Sequence, residues 1–298
     1  MKLYTSIYNE EKVMAVGNKQ GFYYIPRMDN KCPSDFHTVE KFLSSKDYSN
    51  ADLEKFINNN NLPLIEITEK DLLSPIQEPR QNIMCMGLNY KDHIEETGVT
   101  FQREIKIPKY PIIFTKSTYS LNDPYGDIPL DISVTCELDW ESELAVIIGK
   151  EGYKIKKQEA YDYIYGYTIL NDITARDIQR RHKQFFLGKS LKGSCPIGPC
   201  IVSKDEIADP HDLEIKCHVN GEMKQNSNTK YQIFDIPTQI EAISRSTKLV
   251  PGDIIATGTP SGVGFARNPP EFLKDGDLVE CSIEKLGSII NRVKLTNN

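Results

Sequence analysis

Beyond about residue 80, apolar side chains recur at every second position in short runs broken by Gly, Pro, Asn and Asp, the pattern of a chain laid out mostly in β-strands. The predicted strands are "NIMCMGLNY", "YPIIFTKS", "ELAVIIG", "YGYTILND", "GPCIVS", "LEIKCHVNGEMKQ", "DIIATGT" and "DLVECSIEKLGSIINRVKL". Asn220-Gly221, set between two alternating runs, predicts a two-residue hairpin. Ile236, Ile240 and Ile243 share a helical face and predict a helix over "DIPTQIEAISRSTKL", halted before Pro251-Gly252. Strands without a regular strand–helix alternation indicate a strand-dominated α+β chain, a mixed or antiparallel β-roll and not a doubly wound sheet.

Residues 1–76 read as a small N-terminal α+β domain and 77–298 as a larger domain, with the Pro-containing "SPIQEPRQ" at the boundary. In the small unit, "KVMAVGNKQGFYYIP" is two alternating runs joined by a turn around Asn18 to Gly21, and "HTVEKFL" and "NADLEKFINNNN" predict short helices. Nothing in it suggests chemistry.

The segment "DWESELAVIIGK" starts acidic and ends apolar. Alternate side chains of an extended strand share a face, so Glu137, Asp139, Glu141 and Glu143 point one way, followed by Ala145 and Ile147. Clustered carboxylates raise one another's pKa, which makes such a row costly where water is excluded. Two readings follow: an edge strand whose acidic face is wet, or a hard-cation site built on a rigid strand.

Other segments offer chemistry on similar terms. "GYTILNDITARDIQRRH" ends a predicted strand at Asp172, either a third oxygen ligand or a helix N-terminal acid. In "MGLNYKDHIEETG", His93 and Glu96 are spaced i, i+3, which suits a base held by a carboxylate and equally a surface pair. In "FFLGKSLKGSCPIGP", Lys189 follows an apolar run; it is a stabiliser of developing negative charge or a snorkelling lysine. "ATGTPSGVG" lacks the Lys-Ser/Thr ending of a phosphate loop and predicts a tight turn lining a site, with Thr259 as a hydroxyl donor.

Composition narrows the classes. The 298 residues, 39% hydrophobic and 26% charged, describe an ordinary soluble globular chain. A net charge of -6 supplies no basic field for nucleic acid or an anionic membrane. No apolar run reaches the roughly 18–20 residues of a membrane span, and "MKLYTSIYNEEKV" lacks the features of a secretory signal. Seven cysteines at scattered spacings, without a C-x-x-C pair, fit reduced thiols in a cytoplasm. Cys195 fits a small buried thiol better than a nucleophile.

Taken in order, "MGLNYKDHIEE", "PIIFTKSTYSL", "DWESELAVIIG", "GYTILNDITARDIQ", "GKSLKGSCPIGP", "VNGE" and "PGDIIATGTPSGVG" resemble the fumarylacetoacetate hydrolase superfamily over roughly residues 80 to 295. The resemblance implies a mixed β-roll, often preceded by a smaller domain, usually dimeric. It implies Glu141, Glu143 and Asp172 as ligands of Mg²⁺ or Mn²⁺, with Glu137 and Asp139 left outside as outer or solvated groups. It places the base pair on His93 and Glu96, the active-site lysine on Lys189, and substrate contacts on Lys116, Arg176, Gln179 and Thr259. The chain departs from the family pattern in "RRHKQFFL", which is short and carries Phe where many relatives have Trp. The activity implied is hydrolysis of a C–C bond in a 1,3-diketo or 2-oxo acid. Oxaloacetate-type decarboxylation, isomerisation or hydration of a 2-hydroxydienedioate, and ligand binding without catalysis are the alternatives.

Overall fold

The computed structural model describes residues 1–17, 22–100, 102 and 104–296. Its main feature is a 12-stranded sheet. Along its main path run Leu64–Ile65, Tyr23–Tyr24, Glu11–Gly17, Lys2–Tyr8, Cys195–Ser203, Ile164–Asn171, Ser142–Ile148, Ile254–Ala256, Ile83–Gly87 and Ile112–Lys116. Ile254–Ala256 and Ile83–Gly87 pair in parallel; the other neighbours on this path are antiparallel. A second, 5-stranded sheet contains Ile128–Leu130, Glu214–Val219, Glu222–Asn228, Leu278–Ile283 and Gly287–Leu295. The strand-dominated α+β fold and mixed pairing expected from the pattern are therefore present. The expected hairpin turn has Asn220 and Gly221 both at positive φ, +53° and +79°. That backbone suits the primed turn joining twisted strands, and Asn-Gly adopts it with little strain.

The helices are α1 (Val39–Ser44), α2 (Asn50–Asn59), α3 (Lys91–Thr100), α4 (Arg176–Arg181), α5 (Phe186–Lys189) and α6 (Ile236–Ser244). Reciprocal bonds between Ser49 and Asp52 start α2, and Asp235 caps α6 by accepting from the Thr238 N–H. No helix among the described residues is long and apolar enough to cross a membrane.

Ser142–Ile148 is a central strand buried along its whole length, so the wet-edge reading fails. Leu144, Val146 and Ile148 join a core with the second sheet and α6, whereas Ala145 and Ile147 join a core on the opposite face. Near-continuous apolar sequence is what a strand covered on both faces requires. Each fully buried aliphatic side chain contributes roughly 1.5–3 kcal/mol relative to exposure.

The first 76 residues do not keep a wholly separate core. Lys2 and Leu3 pair with Val202 and Ile201, and Leu3, Met14, Phe36 and Leu53 share a cluster with Ile83, Ile147 and Ile254. Val13, Ala15, Tyr23 and Ile25 form a smaller cluster of their own. The turn expected around Asn18 to Gly21 lies outside the described residues, but Val16 and Gly17 pair with Tyr24 and Tyr23. The described cysteines are all unbridged, and burial pushes the Cys195 thiol up to about 12, which suits the buried-thiol reading.

Asp253, at the head of a central strand, is buried; its Oδ2 accepts from the Gln81 Nε2 at 2.6 Å and the Val250 N–H at 2.8 Å. Burial raises its pKa from 3.8 to about 6 against these bonds and the nearby Arg80. The folded value exceeds the unfolded one, so its contribution to stability is full below about pH 4 and is lost as pH rises through about 6. Asp253→Asn is therefore expected to gain in melting temperature relative to the parent between pH 4 and 7. A constant difference across that range would refute this.

Candidate active site

The carboxylate cluster follows from strand register. Ser142 faces Asn171 across an antiparallel pair, so Glu141 and Asp172 emerge together at one end of it. The Asp172 N–H donates to the Glu141 carbonyl at 2.8 Å, and the Glu141 N–H donates to Asn171 Oδ1 at 3.0 Å. Glu143 lies two residues further along the chain. Glu141, Glu143 and Asp172 bring ligand oxygens within 4.8 Å of one another, and all three residues are buried.

The acidic row is broken, contrary to the single strand face expected. Leu138–Asp139 pairs with Thr174–Ala175 in a separate 2-stranded sheet. Asp139 is neither outer nor solvated: it is fully buried, ion-paired to Arg176 Nε at 2.7 Å, and accepts the N–H groups of Gly264 and Phe265. Glu137 is half-buried and pairs with Arg180 on α4.

Fixed cations neutralise part of the cluster. Lys189 Nζ bridges Glu141 Oε2 and Asp172 Oδ2 at 2.7 Å each. Arg176 NH2 lies 2.7 Å from Glu141 Oε1. Burial pushes Glu141 upward, but Lys189, Arg176 and His93 outweigh it and hold its pKa down to about 2. Burial conversely depresses Lys189, and Asp172 and Glu141 overcome this, raising it to about 12. Glu143 differs: burial and then the charges of Asp172 and Glu141 push it well above the usual carboxylate range, opposed by Lys189 and the Gly258 N–H at 2.8 Å. The Gly258 turn has φ +97°, and a Cβ there would come within 2.8 Å of the Asn89 Cβ, so glycine answers both demands.

A cavity of about 600 Å³ opens beside this cluster, lined in part by His93, Glu141, Arg176, Gln179, Lys189 and Thr259. Phe114, Phe185 and Phe265 form apolar wall, and the Arg176 guanidinium lies 4.4 Å from the Phe265 ring centroid. His93 Nδ1 lies 2.7 Å from Glu96 Oε1, while Glu96 Oε2 accepts the Gly262 N–H at 2.8 Å. If Nδ1–H donates to Glu96, Nε2 is left as the basic nitrogen.

Lys116 and Thr259, expected as substrate contacts, both engage protein groups. Lys116 does not line the cavity; it is fully buried behind Asp172, 2.8 Å from Oδ1, and bonds to the Ile173 carbonyl. Thr259 lines the cavity, but its hydroxyl donates to the Ser142 carbonyl at 2.9 Å and accepts from Gln225 at 2.8 Å, so its proton is engaged. Gln179 accepts from Arg176 NH1 at 3.1 Å. The sequence reading missed Arg180 as a cavity residue and the buried Asp139–Arg176 pair. The Asp and Arg at two strand-end segments carry no local signal that they face each other.

The profile described as fumarylacetoacetate (FAA) hydrolase C-terminal matches residues 82–294. Oxaloacetate tautomerase YisK of Bacillus subtilis (strain 168) is 48% identical over 231 residues, covering 77% of this chain and 75% of that protein. The solved fumarylacetoacetate hydrolase from psychrophilic Exiguobacterium antarcticum superposes with a TM-score of 0.84 at 34% identity, over 99% of this chain and 100% of the other. Maleylpyruvate hydrolase from Sphingobium sp. SYK-6, solved with manganese(II) and pyruvate, has a TM-score of 0.79 at 25% identity, over 100% of both chains.

Proposed function

The chain belongs to the fumarylacetoacetate hydrolase family, and we propose that within it the protein is a divalent-metal-dependent enzyme interconverting the keto and enol forms of an oxaloacetate-type 2-oxo acid. The observation carrying this reading is a histidine, held by a carboxylate, opening onto the same cavity as Lys189 and Glu141, one member of the acidic cluster. A proton transfer next to a carbonyl needs one base and an environment favourable to the resulting anion, and no nucleophile. The 48% identity to an oxaloacetate tautomerase supports the same chemistry. C–C hydrolysis, the first expectation from the resemblance, is the weaker reading, because the relatives named as hydrolases are 34% and 25% identical.

Glu141, Glu143 and Asp172 would hold Mg²⁺ or Mn²⁺; three buried carboxylates, of which Glu143 has no ion-pair partner among the described residues, are a donor set suited to a hard cation. When bound, the ion would supply a positive charge to the substrate's carboxylate and adjacent oxo oxygen. His93 Nε2 accepts the proton from C3 of the keto acid. The C–H electron pair becomes the C2–C3 double bond and the carbonyl π pair moves to oxygen, which takes a proton from water to complete the enol while the imidazolium returns its proton to water. Glu96 stabilises the imidazolium, and Lys189 adds positive charge beside the anion.

The test is decay of the oxaloacetate enol absorbance in enzyme with Mg²⁺ or Mn²⁺ against a metal-only control, with product NMR. Faster interconversion without extra pyruvate is expected. Acetylpyruvate split to acetate and pyruvate, with no effect on the enol, would replace this reading with the hydrolase.

A further inference from the structure

We propose that Arg180 recognises the second carboxylate of a dicarboxylic oxo acid and makes the site select diacids over monoacids; this rests on the oxo-acid reading above. The cations around the cavity are unequally available. Arg176 donates from Nε to Asp139 and from NH1 to Gln179, and its buried NH2 is ion-paired to Glu141 at 2.7 Å. Lys189 bridges two carboxylates, and Lys116 lies behind Asp172, outside the lining. Arg180 lines the same cavity with a side chain 44% exposed, and among the described residues only its NH2 has an ion-pair partner, Glu137. Its planar fork can therefore donate to a further carboxylate.

The arginine is also held by a fixed frame. The Arg176 N–H donates to the Glu137 carbonyl at 2.9 Å, and Asp177 accepts from Thr135 at 2.6 Å, so α4 is tied to the segment carrying Glu137. On the other side α5 packs so closely that a Cβ on Gly188 would lie 2.7 Å from the Gln179 nitrogen. A guanidinium on such a support loses less freedom when it engages a ligand. Among the described residues Glu137 is the ion-pair partner of Arg180, and it holds the guanidinium in place at the cavity.

The experiment compares oxaloacetate with its 4-methyl ester, which keeps the C3 protons and loses only the second charge. The Mn²⁺-loaded protein and its Arg180→Gln variant are used. In parallel, calorimetry measures binding of 3,3-difluorooxaloacetate, which has no C3 proton, and of its 4-methyl ester. The parent should prefer each diacid over its ester. Arg180→Gln should weaken the diacids by about 10- to 100-fold, in KM or Kd, and leave the esters within about threefold. Glu137→Gln should retain the diacid preference. Equal weakening of diacid and ester, or a preference that survives in Arg180→Gln or is absent from the parent, overturns the proposal. If diacid-selective binding is lost in the variant while no protein tautomerises oxaloacetate, the selectivity stands and the proton-transfer reading fails.

Discussion

Glu143→Gln is expected to raise the melting temperature of the chelator-treated protein while weakening Mn²⁺ binding by about 100-fold or more. The two effects have one cause. Glu141 and Asp172 have lysine and arginine partners within 2.8 Å, whereas the Glu143 carboxylate is buried against their like charges and accepts one backbone N–H. Its pKa is raised in the folded protein, so its contribution to stability is full below the ordinary carboxylate range and is lost as pH rises from there through the raised folded value. Glutamine removes the charge, keeps the shape and can still accept from Gly258. A gain of about 2–4 °C at neutral pH corresponds to each ~1 kcal/mol relieved. Glu141→Gln should differ in sign, because it removes one of the two carboxylate charges paired with Arg176 and one of the two paired with Lys189, leaving buried positive charge less compensated. Thermal scans with chelator and Mn²⁺ calorimetry on both variants decide the matter. A Glu143→Gln protein that is less stable without metal, or that binds Mn²⁺ as the parent does, would remove Glu143 from the cation site.

The alternation in "YGYTILND" places Asp172 at a strand end, and the structure ends that strand at Asn171. The run after Ser142 announces a strand because both its faces are covered by apolar cores. What a period of two cannot reveal is where one strand stops and another begins. The chain leaves the short strand at Asp139 and enters the next at Ser142, so the acidic row divides between an arginine pair and the cluster. Lys116 is a related case: a lysine at a strand end has no local mark showing whether it meets Asp172 from the cavity or from behind. The N-terminal strand Lys2–Tyr8 carries no clear sequence mark, because Thr5 and Ser6 are among its buried residues, which blurs the apolar alternation. Arg180 gave no signal because its relation to Glu137 depends on the pairing of Leu138–Asp139 with Thr174–Ala175.

His93→Gln should slow keto–enol interconversion by about 10²- to 10⁴-fold, the range lost with a general base, and leave Mn²⁺ affinity within about threefold. The imidazole is outside the carboxylate cluster, so a loss confined to proton transfer separates the base from the metal site. Glu96→Gln should cost less. Its amide oxygen can still accept from Nδ1, but the negative charge that favours the imidazolium is gone. Glu96 also accepts the Gly262 N–H and Asp92 accepts from Ser261, so α3 is braced against the glycine-rich turn at two points. A displaced helix could therefore imitate a lost base, and rescue separates the two. Added imidazole should restore part of the rate to His93→Gly, which supplies a free base to an intact pocket, and should do nothing for Glu96→Gln. Metal-promoted decarboxylation of oxaloacetate needs no proton removed from C3, so pyruvate release should survive His93→Gln. If pyruvate release and interconversion fall together while Mn²⁺ still binds, His93 shapes the cavity and another group carries the proton.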